Sequence, residues 1–315
     1  MIPYIHVPDL KLGPITHHPF GLLVATGVII GTAITTRRAR SRGIDLDRLN
    51  SFITWMLVAG FIGGHMLDEI FYHPAEIVRR PWSLFMLWEG LSSFGGFVGG
   101  LIGILLWKYF DLEPVVDVGP ITISWFKRRP KALPILPFAD LVLSVFPVAW
   151  IFGRSGCSVV HDHPGAHAAP DALFAVAYPP AMPGMVDHIG PIELIHGSSP
   201  RYDLGTLELM FTVILAACFV ATWRKKVPTG TYVAVASLAY APVRFAMDFL
   251  RITDGEGADP RYGSLTPAQW QCIALFVFGL TMVYYVRSLK KRGVDPMDEM
   301  LLPHDGSSDA PALAV

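Results

Sequence analysis

The side chains best suited to chemistry in this sequence are charges standing where charge is costly. Arg244, Asp248 and Arg251 recur at spacings of four and three, so on a helix they share one face, at the end of an apolar run from Gly230 to Leu250. Arg154 closes a second apolar run and Glu208 lies just inside a third. An ionisable residue within a membrane span costs at least ~2.5 kcal/mol on insertion scales, which makes each of them a functional candidate. Guanidinium offers a planar fork that matches phosphate oxygens, and a carboxylate can hold that fork in place. Arg154, Arg244 and Arg251 with Glu208 and Asp248 therefore read as a phosphate receptor. For Arg244 and Asp248 alone, mutual neutralisation at i, i+4 is the plainer alternative.

Histidines form the second group. His161-Asp162-His163, with His167 close behind, opens the long stretch after Arg154. Zinc needs further ligands at a stereotyped spacing, and the sequence supplies none, so no metal and no cofactor is expected. That leaves a proton acceptor beside the arginines, or plain packing at the membrane interface. Cys157 stands three residues after Arg154, whose charge would favour a thiolate; a small packed residue is the simpler reading and the one favoured. Asp68, Glu69 and Glu89 read as a solvated rim.

These residues need a scaffold, and composition names its class. The chain has 315 residues, 52% hydrophobic and only 16% charged, against roughly 25% charged in soluble domains. A net charge of −1 excludes a strongly basic nucleic-acid binder, and three cysteines are too few for a disulfide framework. An all-α integral membrane protein follows, with seven spans at about Phe20 to Thr36, Ser51 to Tyr72, Leu84 to Phe110, Ala132 to Gly153, Leu204 to Trp223, Gly230 to Leu250 and Thr266 to Val286. Most Lys and Arg residues fall after spans one, three, five and seven: Arg37 to Arg48, Lys108 to Lys131, Arg224 to Lys226 and Arg287 to Arg292. Cytoplasmic loops carry that excess, so the N-terminus is expected outside and the C-terminus in the cytoplasm.

The expected layout is then an outer segment 1–19, a membrane domain 20–286 with an outer loop 154–203, and a disordered cytoplasmic tail 287–315. Part of the outer loop is apolar and is expected at the membrane surface. Trp82, Trp107, Trp223 and Trp270 fall near span ends, where an indole suits the headgroup layer. Glycines recur every four residues from Gly95 to Gly103 and are read as close helix packing. Arg154, Arg244 and Arg251 all come out near the outer face.

At these residues the chain resembles bacterial prolipoprotein diacylglyceryl transferases. The resemblance rests on Gly153-Arg154-Ser155-Gly156, on Trp88-Glu89-Gly90 with Ser93-Phe94, and on Arg244 with Asp248, Phe249 and Arg251, and runs from about His18 to Val286. It implies an enzyme of the bacterial inner membrane with its site toward the outer face. The reaction implied moves the diacylglyceryl group of phosphatidylglycerol to the lipobox cysteine of an exported prolipoprotein, recognised through its signal peptide, and releases glycerol phosphate. Arg154 and Arg244 match the family's essential arginines, and Ser93, Gly156, Glu208, Asp248 and Arg251 are the implied substrate-binding positions.

The family's pattern is also altered. Its histidine after Ser-Phe is missing, since Ser93-Phe94 runs into Gly95-Gly96; its Asn after the arginine is Cys157; its Gly-Gly-Arg is Gly63-Gly64-His65; and its Tyr-Gly of the first span is Phe20-Gly21. Before span five the usual motif is reduced to Tyr202 to Glu208. His161 or His163 is expected to supply the lost imidazole. The alternatives are a phospholipid-binding protein that kept the arginines without the chemistry, and a transferase with another acceptor.

Overall fold

The computed structural model describes residues 1–12, 15–87, 90–118, 121–253 and 260–300. The chain runs through strands β1 (Ile2–His6), β2 (Leu10–Leu12) and β3 (Ile15–His17), then helices α1 (Pro19–Arg40), α2 (Leu46–Tyr72), α3 (Pro74–Arg79) and α4 (Ser93–Tyr109). The hairpin β4 (Phe110–Val118) and β5 (Ile121–Arg128) precedes α5 (Leu136–Val160). Strands β6 (Pro164–His167), β7 (Ala175–Ile189) and β8 (Ile192–Asp203) follow, and α6 (Leu204–Thr222), α7 (Thr231–Met247) and α8 (Pro267–Arg292) complete the bundle.

Helix starts are chemically explicit. Proline sits in the first turn of α1, α3, α5 and α8, where its missing N–H costs nothing. Asp45, Ser92 and Asp203 cap α2, α4 and α6 by accepting backbone N–H groups, and Thr266 with Gln269 forms a reciprocal capping box on α8. Among the described residues six helices, α1, α2, α5, α6, α7 (extended to Leu250) and α8, are long and apolar enough to cross a membrane. The seventh apolar segment, α4, is shorter, at 17 residues.

The helices pair as α2 with α4, α1 with α5, α5 with α6, and α7 with α8. Glycine sets the first pairing: a Cβ on Gly63 would lie 2.9 Å from the Gly95 carbonyl oxygen, and one on Gly103 would lie 2.7 Å from the Ala59 side chain. The principal apolar cluster, built on Phe52, Trp107 and Phe138, occupies the end of the bundle that carries the basic loops. Trp107 meets Phe52 edge-on at 5.0 Å and Phe138 at 5.2 Å and is fully buried, so it belongs to the core and not to an interfacial belt. Trp107→Ala is expected to cost ~3–5 kcal/mol, readable as a lower midpoint in thermal unfolding in detergent.

The all-α expectation needs correction. At the other end of the bundle three strands from the connector between α5 and α6, joined by the N-terminal β1, form a four-stranded sheet in the order β1-β7-β8-β6. Within it β7 and β8 run antiparallel from Ala175↔Tyr202 to Ile189↔Ile192, and β1 pairs with both. Of the apolar run from Ala172 to Tyr178, Ala175 to Ala177 are buried in this sheet, while Leu173 (82% exposed) and Phe174 (48%) just before them stay open. Helix α5 also continues to Val160, which puts Arg154, Gly156 and Cys157 on a helix instead of in a loop. Likewise α8 runs on to Arg292 and a helical turn follows at Pro296–Met300, so the segment expected as a disordered tail is ordered that far; 301–315 lie outside the described residues.

Candidate phosphate-binding site

The site is assembled where α5, α6, α7 and α8 meet. Arg154 comes from α5 and its Nε lies 2.9 Å from Glu208 Oε1 on α6, an ion pair rather than an aligned hydrogen bond. Arg244 from α7 reaches the other oxygen of the same carboxylate at 3.7 Å and donates through Nη1 to Asp248 one turn on. Arg251 Nε donates to Asp248 Oδ1 at 3.1 Å, and the Thr266 hydroxyl at the head of α8 donates to Asp248 Oδ2. Tyr240 donates to Glu208 Oε1 at 2.6 Å. Each carboxylate is therefore shared between two guanidiniums.

Burial raises the stakes of that arrangement. Arg154 and Glu208 are each 3% exposed and Asp248 is fully buried. In low dielectric a charge is tolerated only when paired, and shared pairs fix the forks in orientation. Arg154 also stacks its guanidinium 4.7 Å from the Trp150 ring centre, one turn earlier, and its Nη1 lies 3.7 Å from Cys157 Sγ. Cys157 is thus a buried neighbour of the arginine, wedged where Gly205 lets α6 approach: a Cβ on Gly205 would stand 3.1 Å from that of Cys157.

Three contacts tie α5 to α6 like rungs. Arg154 faces Glu208, Ser158 hydrogen-bonds Thr206 at 2.7 Å, and His161 Nδ1 lies 2.5 Å from Asp203 Oδ2. Seven residues of helix put His161 about 10 Å beyond Arg154 along the axis. His161 ends α5 in a left-handed conformation (φ 50°), and its Nε2 faces the Ile5 carbonyl oxygen at 3.1 Å. With the Asp203 carboxylate on one ring nitrogen and the Ile5 carbonyl on the other, the ring is clamped between β1 and the start of α6. Burial alone would raise the Asp203 carboxyl, but hydrogen bonds from His161, the Thr206 N–H and the Tyr178 hydroxyl hold it below the usual carboxylate range. His163 points elsewhere, with Nδ1 2.7 Å from the Asp162 carboxylate.

The structure thus brings together Arg154, Glu208, Arg244, Asp248 and Arg251, and places His161 on the outermost rung. Gly156 serves packing, since a Cβ there would meet the Phe20 ring at 2.9 Å. Ser93 opens α4, while its neighbour Ser92 makes the cap. The rim reading fails for Glu69, which is buried and accepts from the Ser83 hydroxyl at 2.8 Å; Glu89 lies outside the described residues. His65, in the place of the family's arginine, is fully buried and bridges the carbonyls of Ser83 (2.8 Å) and Gly90 (3.1 Å). Sequence reading missed Tyr240 in the middle of α7, Tyr178 on β7, and Asp203 and Thr266 at the starts of α6 and α8, polar groups whose only signal was proximity in the fold.

A family model for prolipoprotein diacylglyceryl transferase matches residues 9–285. A phosphatidylglycerol–prolipoprotein diacylglyceryl transferase of Nitrobacter winogradskyi is 27% identical over 310 residues, covering 95% of this chain and 93% of that protein. Proteins of the same name from Pseudomonas putida and Nitratidesulfovibrio vulgaris are each 26% identical, covering 92% of this chain and 98% and 96% of their own lengths.

Proposed function

Since the chain belongs to the prolipoprotein diacylglyceryl transferase family, we propose that it transfers the diacylglyceryl group of phosphatidylglycerol to the lipobox cysteine of exported prolipoproteins. The observation that carries this reading is the buried pair Arg154 and Arg244, from two helices, converging on Glu208. In the reaction a thiolate sulfur attacks the glyceryl carbon, the carbon–oxygen bond to phosphate breaks, and glycerol phosphate leaves with the electron pair. Fixed guanidiniums stabilise the charge that develops on that phosphate. Gly156, Ser93, Glu208, Asp248 and Arg251 shape and hold the substrate site, and no cofactor is required.

The proposed placement is a multi-pass protein of the bacterial inner membrane. It has seven spans including α4, the N-terminus outside, the C-terminus in the cytoplasm, and the arginines toward the outer face. That orientation is supported by the basic residues grouped at the end opposite the sheet. Acyl chains of the lipid would lie among the apolar helix faces, while the signal peptide brings its cysteine to the sheet end.

A free thiol near pKa 8.5 is only a minor fraction ionised at neutrality, so a base is needed. His161 and His163 are the proposed sources. The test is expression in cells depleted of their own transferase: a lipobox reporter is expected to gain lipid and growth to resume. The pair His161→Gln and His163→Gln is expected to abolish lipidation while the protein still accumulates, and retained lipidation would refute the assignment. A second reading, lipid binding without transfer or transfer to a different acceptor, is favoured by one observation. Gly95 replaces the family's histidine at a position with no room for a side chain. Bound phosphatidylglycerol without a lipidated reporter would select it.

A further inference from the structure

His161 carries more structure than a loop histidine needs. Its Nδ1 is engaged by Asp203, which is itself fixed by the Tyr178 hydroxyl at 2.8 Å and by the Thr206 N–H at 2.8 Å as the cap of α6. A carboxylate that holds Nδ1 and leaves Nε2 to meet the substrate is the arrangement of an oriented general base. Here Nε2 is not open: the Ile5 carbonyl on β1 faces it, and Tyr4 of the same strand stacks on the ring at 3.8 Å. Strand β1 is five residues long and is held by two register pairs to β7 and three to β8. It is a short strap laid across the nitrogen that would accept a proton.

We propose that His161, oriented by Asp203, is the base of the transfer and that β1 is a strap that blocks it until substrate displaces Ile5 and Tyr4. The proposal rests on the transferase reading above and adds its regulation. With the strap aside, Nε2 gives up to solvent the proton it held against the Ile5 carbonyl and then takes the thiol proton; sulfur bonds to the glyceryl carbon, the carbon–oxygen bond breaks toward phosphate, and the imidazolium returns its proton to the departing glycerol phosphate or to solvent. The strap also has a reason to exist. An open base beside a bound lipid could also activate water in the absence of a thiol, splitting phosphatidylglycerol into diacylglycerol and glycerol phosphate with no acceptor lipidated.

The test uses the full-length protein in detergent with phosphatidylglycerol vesicles, with and without a synthetic peptide bearing a lipobox cysteine. Two strap variants are compared with the parent: deletion of residues 2–6, and Tyr4→Ala, which keeps the strand. Accessibility of Nε2 is read by carbethoxylation of His161 with diethyl pyrocarbonate, located by peptide mass spectrometry. His161 is expected to be protected in the parent alone, modified at least tenfold faster in both variants, and exposed in the parent when vesicles and peptide are added together. Release of glycerol phosphate without peptide is expected to rise at least tenfold in the strap variants and to vanish when His161→Gln is added.

Protection that is unchanged in the variants, or acceptor-free release at the parental level despite an unmasked His161, would overturn the strap. Normal transfer by His161→Gln would overturn the base. A parent that transfers nothing to the peptide marks failure of the transferase reading itself, whatever the carbethoxylation pattern.

Discussion

Arg244→Ala is expected to reduce lipid transfer by roughly 10²- to 10³-fold, the loss typical of removing one fixed donor to a developing oxyanion. Arg244 stands between Glu208 and Asp248, so its removal deprives the leaving phosphate of a fork and at the same time releases two carboxylates from a cation. Stranding one member of a buried ion pair costs ~3–5 kcal/mol, and some loss of protein from the membrane accompanies the catalytic defect. Arg244→Lys separates the two effects. It keeps a cation beside Glu208 and Asp248, so the protein accumulates, but a point charge cannot reproduce the planar fork. Its rate per molecule is expected to fall roughly tenfold, the equivalent of one charge-assisted hydrogen bond. Initial rates normalised to immunoblotted protein check this; a lysine variant as fast as the parent would remove phosphate recognition from Arg244.

Gly95→His, the change that restores the family's histidine, is expected to eliminate the folded protein instead of improving it. A Cβ at Gly95 would fall on the Gly63 carbonyl oxygen and lie 2.9 Å from that of Gly64 and 3.0 Å from its Cα. Those atoms are backbone of α2, and no rotamer change relieves them. Moving α2 away from α4 would open the whole glycine seam, including the Ser92 N–H bond to the Gly64 carbonyl at 3.1 Å. Overpacking of this kind costs 1–3 kcal/mol even where side chains can yield, and here only main chain is available. The expected result is at least tenfold less protein in the membrane fraction and no gain in specific activity. Increased activity at normal abundance would mean that α2 and α4 separate easily and that the imidazole is simply missing.

Legibility in the sequence followed the range of the forces involved. Charges in apolar runs are visible residue by residue, and five of them, Arg154, Glu208, Arg244, Asp248 and Arg251, do converge. Helix positions were visible for the same reason, because a hydrocarbon core selects length and hydropathy locally. The sheet was not. Its strands pair across long gaps, with Tyr4 opposite Ile195, and its prolines and mixed polarity read as a loop. Buried polar partners were equally hidden: Glu69 looks like a rim residue until Ser83 is seen to satisfy it, and no local signal shows that His65 bridges Ser83 and Gly90. Nothing local marks Trp107 as core, since an indole at a helix end serves either role until its neighbours are known.

The rungs between α5 and α6 have a consequence for how the protein can change. The chain leaves the bundle at His161 and returns at Asp203, and those two side chains touch. Everything between them departs from and comes back to a single point, so its length adds little strain to the helices beneath. Such a segment behaves as a graft: it can be exchanged, lengthened or retuned while the arginine pair below stays in register. Acceptor selection and lipid chemistry would then evolve on separate parts of one chain, with the contact between His161 and Asp203 as the suture that keeps them aligned.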